Sequence, residues 1–112
     1  MGFLGRFRRR EPIASELVGC WQLVESPDGE AEPAEADFRA DGRLQYSVLS
    51  GGQWQIMRLV YRIEGNVIVT DQPSSPHEER TGFALQPDGT LILDFGGQRS
   101  RFKRGPKVAP AD

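Results

Sequence analysis

Residues 53–71 have the sequence QWQIMRLVYRIEGNVIVTD, and this stretch decides the fold class. Residues 53–63 and 66–71 alternate in polarity and are rich in β-branched and aromatic side chains, which is typical of β-strands. The short Glu64-Gly65-Asn66 stretch supplies a turn of the kind that joins antiparallel neighbours. The stretch therefore predicts a β-hairpin.

The same pattern extends in both directions from this hairpin. Runs of alternating polarity continue from Leu17 to Arg104, and no 11-residue stretch keeps a helical period. Five of the seven connections are short Gly-containing turns, so sequence neighbours are expected to be sheet neighbours. The predicted strands are 17–25, 35–40, 43–49, 53–63, 66–71, 79–86, 90–95 and 98–104.

An antiparallel meander of this kind has two exposed edges unless it closes on itself. The predicted fold is therefore all-β, a small eight-stranded antiparallel up-and-down barrel. Strands of about seven residues, rising about 3.3 Å per residue, give a wall of roughly 20 Å, so we expect a shallow or flattened barrel. At eight strands the interior is either filled by side chains or holds one small ligand.

Length and composition restrict the function classes. The chain has 112 residues and one cysteine, Cys20, so an intramolecular disulfide and a Cys-rich metal site are excluded. No apolar run reaches 18 residues, which predicts no membrane span. These features favour a single domain in a reducing, cytoplasmic setting.

The net charge of −2 conceals an uneven distribution of charge. Residues 1–10 carry +4, residues 11–98 carry −10 and residues 99–112 carry +4. The strongly acidic body argues against nucleic-acid binding, which needs a coherent positive surface. The predicted organisation is a basic flexible tail at 1–11, a barrel at 12–104 with a short capping segment at its start, and a disordered C-terminal tail at 105–112.

The order of short motifs along the meander points to a family. The sequence resembles the short bacterial lipocalin-like domains of the calycin group over about residues 13–104. The motifs are Gly19-Cys20-Trp21, Phe38-x-x-Asp41-Gly42, Trp54, Tyr61-x-x-x-Gly65-Asn66, Phe83-x-Leu85-x-x-Asp88-Gly89-x-Leu91-x-Leu93 and Ser100-x-Phe102-Lys103-Arg104.

The resemblance implies a particular closure of the barrel. In lipocalins the Trp that follows the opening Gly is covered by a basic residue of the last strand, which implies a cation–π contact of Trp21, in the Gly19 motif, with Arg101 or Arg104. Fatty-acid-binding relatives hold a carboxylate through Arg-x-Tyr in that strand. Here Arg99-x-Arg101 is followed by Phe102, so fatty-acid binding does not carry over.

Strand 53–63 is part apolar on both faces. We expect Met57, Leu59, Tyr61 and Ile63 to point into the barrel, which leaves Trp54, Ile56, Arg58, Val60 and Arg62 on the other face. A strand buried on both sides has such a pattern. Either a bulge near Met57 switches the phase, or the outer face packs against a second copy in a homodimer.

A pocket, if present, needs aromatic walls and a few polar groups. The candidate walls are Tyr46, Trp54, Tyr61, Phe83 and Phe95, and the alternative is that these rings simply fill the core. Arg58 and Arg62 are candidates for a ligand carboxylate, because a buried Arg needs an anionic partner. The alternative for both is a surface salt bridge.

Catalytic and metal-binding patterns are scarce. The only histidine, His77, is predicted to lie in a solvated loop, and Cys20 is predicted to be an inert buried thiol. The acidic run Asp28, Glu30, Glu32, Glu35 and Asp37 does not match a calcium loop and is predicted to be a solvated flap. No metal or cofactor is expected.

The leading functional prediction is a non-catalytic barrel that binds a small apolar or amphipathic molecule in its interior. The alternative is a structural or interaction module with a filled core, which self-associates through its outer sheet. A third hypothesis is a calycin-type enzyme that acts on a small acid through Tyr46, Tyr61 or Arg58.

Overall fold

All eight predicted strands occur in the predicted order. The structure is a computed structural model, and it describes residues 16–27, 29 and 32–110. The predicted basic tail at 1–11 and most of the capping segment lie outside these residues. The strands are β1 (Gly19–Glu25), β2 (Ala34–Phe38), β3 (Arg43–Ser50), β4 (Gln53–Glu64), β5 (Val67–Asp71), β6 (Glu79–Leu85), β7 (Leu91–Phe95) and β8 (Gln98–Arg104).

The strands form one closed antiparallel barrel in sequence order. Closure is made by β1 and β8, where Trp21 lies opposite Arg104 and a register shift occurs between Leu23 and Glu25. Since a closed barrel has no unpaired edges, every strand has two hydrogen-bonded neighbours. The prediction of an all-β, eight-stranded up-and-down barrel is confirmed. No helix in the described ranges is long and apolar enough to cross a membrane.

Glycine pairs make the tight turns at one end of the barrel. Gly51 and Gly52 join β3 to β4 with φ angles of 60° and 81°. Two successive positive φ values are what a type I′ hairpin turn requires, and Gly adopts them without a steric penalty. Gly96 and Gly97 join β7 to β8 in the same way, with φ angles of 55° and 88°.

The core fills the other end of the barrel, which we call the closed end. Trp21, Phe38 and Phe102 are each at most 2% exposed there. Leu17 is fully buried, and its carbonyl accepts a 2.9 Å hydrogen bond from Trp21 Nε1. This bond satisfies the indole N–H, which would otherwise be costly to bury.

Residues 105–110 correct a prediction. The lack of periodicity and the two prolines predicted disorder, but this segment, the C-terminal strap, lies along the outside of β1–β3. Ala109 is buried, and Gln45 Nε2 donates to the Pro110 carbonyl at 3.0 Å. The strap is held by hydrogen bonds to side chains of distant strands, and a local sequence pattern does not reveal such bonds.

Glu35 is the anchor of the strap. Its carboxylate is 0% exposed and accepts hydrogen bonds from the Val108 amide (2.7 Å), the Ala109 amide (3.1 Å) and Lys107 Nζ (3.1 Å). Gln22 Nε2 adds a fourth bond at 2.8 Å. The predicted solvated acidic flap is therefore wrong for Glu35 and Asp37, which both lie in β2; Asp28 and Glu30 are outside the described residues.

Candidate functional site

The barrel interior holds a cavity of about 340 Å³. Strand alternation explains its walls, because side chains two residues apart on one strand face the same side of a sheet. A volume of this size is at the lower end of the range for small-molecule sites. The lining residues are Ala36, Phe38, Leu44, Tyr46, Met57, Leu59, Ile68, Thr70, Gln72, His77, Glu79, Thr81, Leu93 and Phe95.

The cavity opens at the end of the barrel opposite the closed end. This open end carries the Gly51-Gly52 and Gly96-Gly97 turns and the connection from β5 to β6. Two apolar side chains stand at its rim, since Phe95 is 50% exposed and Met57 is 44% exposed. Apolar side chains left open to water beside a cavity are typical of a binding-site entrance.

Small side chains create the space inside. Ala36 lies between Trp21 on β1 and Tyr46 on β3 in the sheet, and it is fully buried without filling the interior. Thr70 on β5 and Thr81 on β6 also line the cavity, where Thr70 pairs with Glu79 and Thr81 pairs with Ile68. A larger apolar residue at these positions would fill the space with protein, as in the closed end.

Tyr46 supplies a polar group inside the cavity. Burial raises the pKa of its hydroxyl, so it remains a neutral donor and acceptor over the physiological pH range. Within the described ranges the hydroxyl has no hydrogen-bond partner, and it is not among fully buried unpaired atoms, so solvent can reach it. Since Tyr46 lines the cavity, its hydroxyl is available to donate to or accept from a ligand there.

An acid–base pair stands at the cavity mouth. His77 Nε2 and Glu79 Oε2 are 2.6 Å apart, and both residues line the cavity. The backbone amide of His77 donates to Asp71 Oδ1 at 2.8 Å, which ties this loop to the end of β5. The pair is exposed to solvent, so it can meet a ligand without being deeply desolvated.

Of the five aromatic residues predicted as cavity walls, only two line the cavity. Tyr46 and Phe95 line the cavity. Tyr61 and Phe83 belong to the hydrophobic core, where Tyr61 packs edge-on against Phe38 at 5.2 Å and donates to the Arg39 carbonyl. Trp54 is wrong as a wall residue, because it alternates with the inward residues of β4 and lies on the outer face.

The two arginines proposed for a ligand carboxylate also face outward. Arg62 Nε contacts Glu64 Oε2 at 2.8 Å, and its Nη2 is 3.5 Å from Glu78. Arg58 borders a shallow depression on the outer surface together with Arg39 and Arg43. For Arg62, the surface salt bridge is the alternative that the structure supports.

The inward face of β4 agrees with the prediction. Leu59, Tyr61 and Ile63 pack against the core and Met57 lines the cavity. The register of β4 runs without a shift along both neighbouring strands, so the suggested bulge near Met57 does not occur. A second copy on the outer face stays a prediction.

Arg104 is the basic residue over the opening tryptophan. Its guanidinium carbon lies 4.2 Å from the centre of the Trp21 ring. Arg104 also donates to the carbonyls of Val18 and Glu16. Arg101, the other candidate, faces outward and contacts Glu25, Asp88 and the Thr90 hydroxyl instead.

Gly19 makes the approach of Arg104 possible. A Cβ atom at this position would lie 2.5 Å from Arg104 Nη1, and the φ angle of 135° disfavours any other residue. The packing of the closed end therefore depends on all three residues, Gly19, Trp21 and Arg104. Their contacts are with one another and with the backbone, which makes this a structural unit.

Several residues at the cavity were not predicted from the sequence. Thr70, Gln72, Glu79 and Thr81 line the interior, and His77 joins them from the loop. Alternation could have identified Glu79 and Thr81, because they are in phase with Phe83 on β6. His77 offered no such signal, since a loop residue has no period.

A larger groove of about 620 Å³ lies outside the barrel, on β6–β8. It is wide and open, with the small residues Gly82 and Ala84 in its floor. Its two arginines already have acidic partners, since Arg99 contacts Asp94 at 3.4 Å and Arg101 contacts Glu25 at 3.5 Å. The interior cavity is the better candidate because the barrel wall surrounds it, its lining is mostly apolar, and it holds the Tyr46 hydroxyl, which has no hydrogen-bond partner among the described residues.

Comparison with known proteins gives no family assignment: neither a family model nor a curated protein matches the chain. Within the described residues, no cluster of three or more His, Cys, Asp or Glu side chains could hold a metal ion. The fold and the site define a small antiparallel β-barrel with an interior cavity that opens at one end.

Proposed function

We propose that this protein is a small calycin-like binding barrel, whose interior holds one small apolar or amphipathic molecule without transforming it. The observation that carries the proposal is the 340 Å³ cavity, which opens at one end while the other end is packed. Filled barrels of this strand number need no such opening. A cytoplasmic, bacterial setting remains part of the proposal, on the resemblance and the single thiol.

The cavity volume limits the size of the ligand. One water molecule occupies about 30 Å³ in the liquid, so the space corresponds to about eleven waters. A ligand of about ten to fifteen non-hydrogen atoms therefore fits. Its apolar part would contact Leu59 and Leu93, and a polar group would reach the Tyr46 hydroxyl.

Thermal unfolding of the full chain with a panel of small alcohols and aromatic compounds tests this function. A ligand present at 100 times its dissociation constant adds about 2.7 kcal/mol to the stability. We expect at least one compound of eight to ten carbons to raise the melting temperature in a saturable way. The absence of a shift across the panel would contradict the proposal.

Two matched substitutions locate the binding site. Ala36→Leu places a larger side chain in the cavity and should abolish the shift, whereas Ala84→Leu places the same side chain in the outer groove and should preserve it. Thr70→Phe blocks the cavity at a less tightly packed position, and it replaces Ala36→Leu if that variant does not fold. Loss of binding in Ala84→Leu alone would assign the ligand to the outer groove.

A further inference from the structure

The described lining of the cavity holds a carboxylate and no Lys or Arg. Of its fourteen residues, Glu79 carries the carboxylate and His77, 2.6 Å away, carries an imidazole. The acidic group of the lining therefore has no Lys or Arg beside it in the cavity.

The charged groups that the structure describes around the mouth do not supply a cation to the interior. Asp71 adds a further carboxylate, which accepts a bond from the His77 amide. The nearby cations Arg62 and Arg80 are on the outer face, where both contact Glu64 and Glu78. Their charge is balanced outside the barrel, so it is not available to an anion inside.

From this distribution we infer that the ligand is an amphipathic cation, an ammonium group on an apolar body. This inference rests on the proposed binding function. The Glu79 carboxylate would accept hydrogen bonds from the ammonium group, and the half-exposed Phe95 ring offers a cation–π face at the same rim. The apolar body would lie deeper, between Leu59 and Leu93.

Among the residues that the structure describes, an anion of the same size has no comparable partner. A carboxylate at the mouth would face Glu79 and Asp71, and it would replace its water shell with like charges. On β8, the inward positions are occupied by Ser100, Phe102 and Arg104, and Arg104 is engaged over Trp21 at the closed end. The interior therefore favours a positive or neutral head group.

Three probes with the same eight-carbon chain test the inference on the full protein at pH 8: octylammonium, octanol and octanoate. Their dissociation constants are measured by calorimetry at low salt. We expect octylammonium to bind about tenfold more tightly than octanol, since a hydrogen bond to a charged group is stronger than a neutral one. Octanoate should bind most weakly, and added salt should reduce the preference for octylammonium.

Glu79→Gln should remove the preference for octylammonium and leave octanol binding unchanged. Glu78→Gln is the matched control, because this neighbouring carboxylate contacts arginines on the outer face, and it should keep the preference. Equal binding of all three probes, or tighter binding of octanoate, would overturn the inference while leaving the binding function intact. If no probe binds in any variant, the proposed function itself fails.

Discussion

Glu35→Ala is the substitution that most directly tests how the C-terminal strap is held. The carboxylate is fully buried and accepts four hydrogen bonds, two of them from the backbone amides of Val108 and Ala109. The substitution removes the acceptor of both backbone amides, whereas Gln22 Nε2 keeps the Pro106 carbonyl and Lys107 Nζ keeps Asp37. Each buried donor left unpaired costs about 1–3 kcal/mol, so the two amides set a range of about 2–6 kcal/mol.

The upper limit of this range is not expected, because the strap can lift and let water reach the amides. Removing one partner of a buried ion pair costs about 3–5 kcal/mol, and Lys107 is such a partner of Glu35. We therefore expect a loss of about 3–5 kcal/mol in the free energy of unfolding. For a domain of ordinary stability, about 5–15 kcal/mol, that is a large fraction.

Urea unfolding measures the loss, and hydrogen exchange shows where it arises. The Val108 and Ala109 amides should lose their protection in the variant, since their acceptor is gone. Glu64→Ala is the control: its carboxylate has two basic partners, Arg62 and Arg80, but it is exposed, so its removal should cost much less. A loss below about 1 kcal/mol in Glu35→Ala, with both amides still protected, would refute the reasoning.

The effect of pH on this variant has a defined sign. Burial alone would raise the pKa of Glu35, but the hydrogen bonds from Val108, Gln22, Ala109 and Lys107 outweigh it and lower the pKa. A carboxyl whose pKa is lowered by folding stabilises the protein fully above its unfolded pKa, about 4.3 for Glu. The stability difference between the wild type and Glu35→Ala should therefore shrink as the pH falls below that value.

Three further predictions concern β1 and its closing partner. In urea unfolding, Trp21→Ala should lower the free energy of unfolding by about 3–5 kcal/mol, because it is a large-to-small core change. Arg104→Ala should lower it by only about 0.5–1 kcal/mol, the size of an exposed cation–π contact. A loss below about 1 kcal/mol for Trp21→Ala would contradict the role of Trp21 in closing the barrel. Gly19→Ala should lower the melting temperature by displacing Arg104, and an unchanged value would show that the contact is dispensable. Burial, together with the nearby Glu35 charge, raises the pKa of Cys20 to about 11. Because the thiolate is the reactive form, alkylation of Cys20 at pH 8 should be about a hundredfold slower in the folded protein than in the urea-unfolded chain. Equal rates in the two states would disprove this prediction.

The sequence was sufficient for the strands because their signals are local. Alternation and Gly-containing turns predicted every strand to within about two residues at each end, and they gave the inward face of β4 correctly. The order of the strands followed from the short turns. Barrel closure followed from the cost of leaving two edges unpaired.

The cavity walls were predicted less well, for a reason visible in β4. Trp54 and Tyr61 are an odd number of residues apart, so a regular strand places them on opposite faces. Aromatic character marks both as candidate walls, but alternation allows only one of them to face the interior. Thr81 is in phase with Phe83, and a small polar side chain gives no sequence signal of a wall position, although a small side chain is what leaves space.

The strap lay beyond local prediction, since its order depends on a residue about 70 positions earlier in the chain. A segment without periodicity becomes ordered only if a distant group binds its backbone. Glu35 binds the strap backbone from the outer face of β2, and the sequence of residues 105–110 does not predict this contact.

In strand β2, one alternating segment contributes both to the cavity wall and to the attachment of the C-terminal strap. Ala36 faces inward, and its small side chain leaves room for the cavity; Glu35, one residue earlier, faces outward and holds the strap. A one-residue slip of β2 would place a carboxylate in the apolar interior and a methyl group beneath the strap, and both changes are unfavourable. The buried Glu35 therefore specifies the register of β2, and through it the position of the cavity wall. The strap in turn depends on the same register, so the barrel wall and its covering segment fix one another.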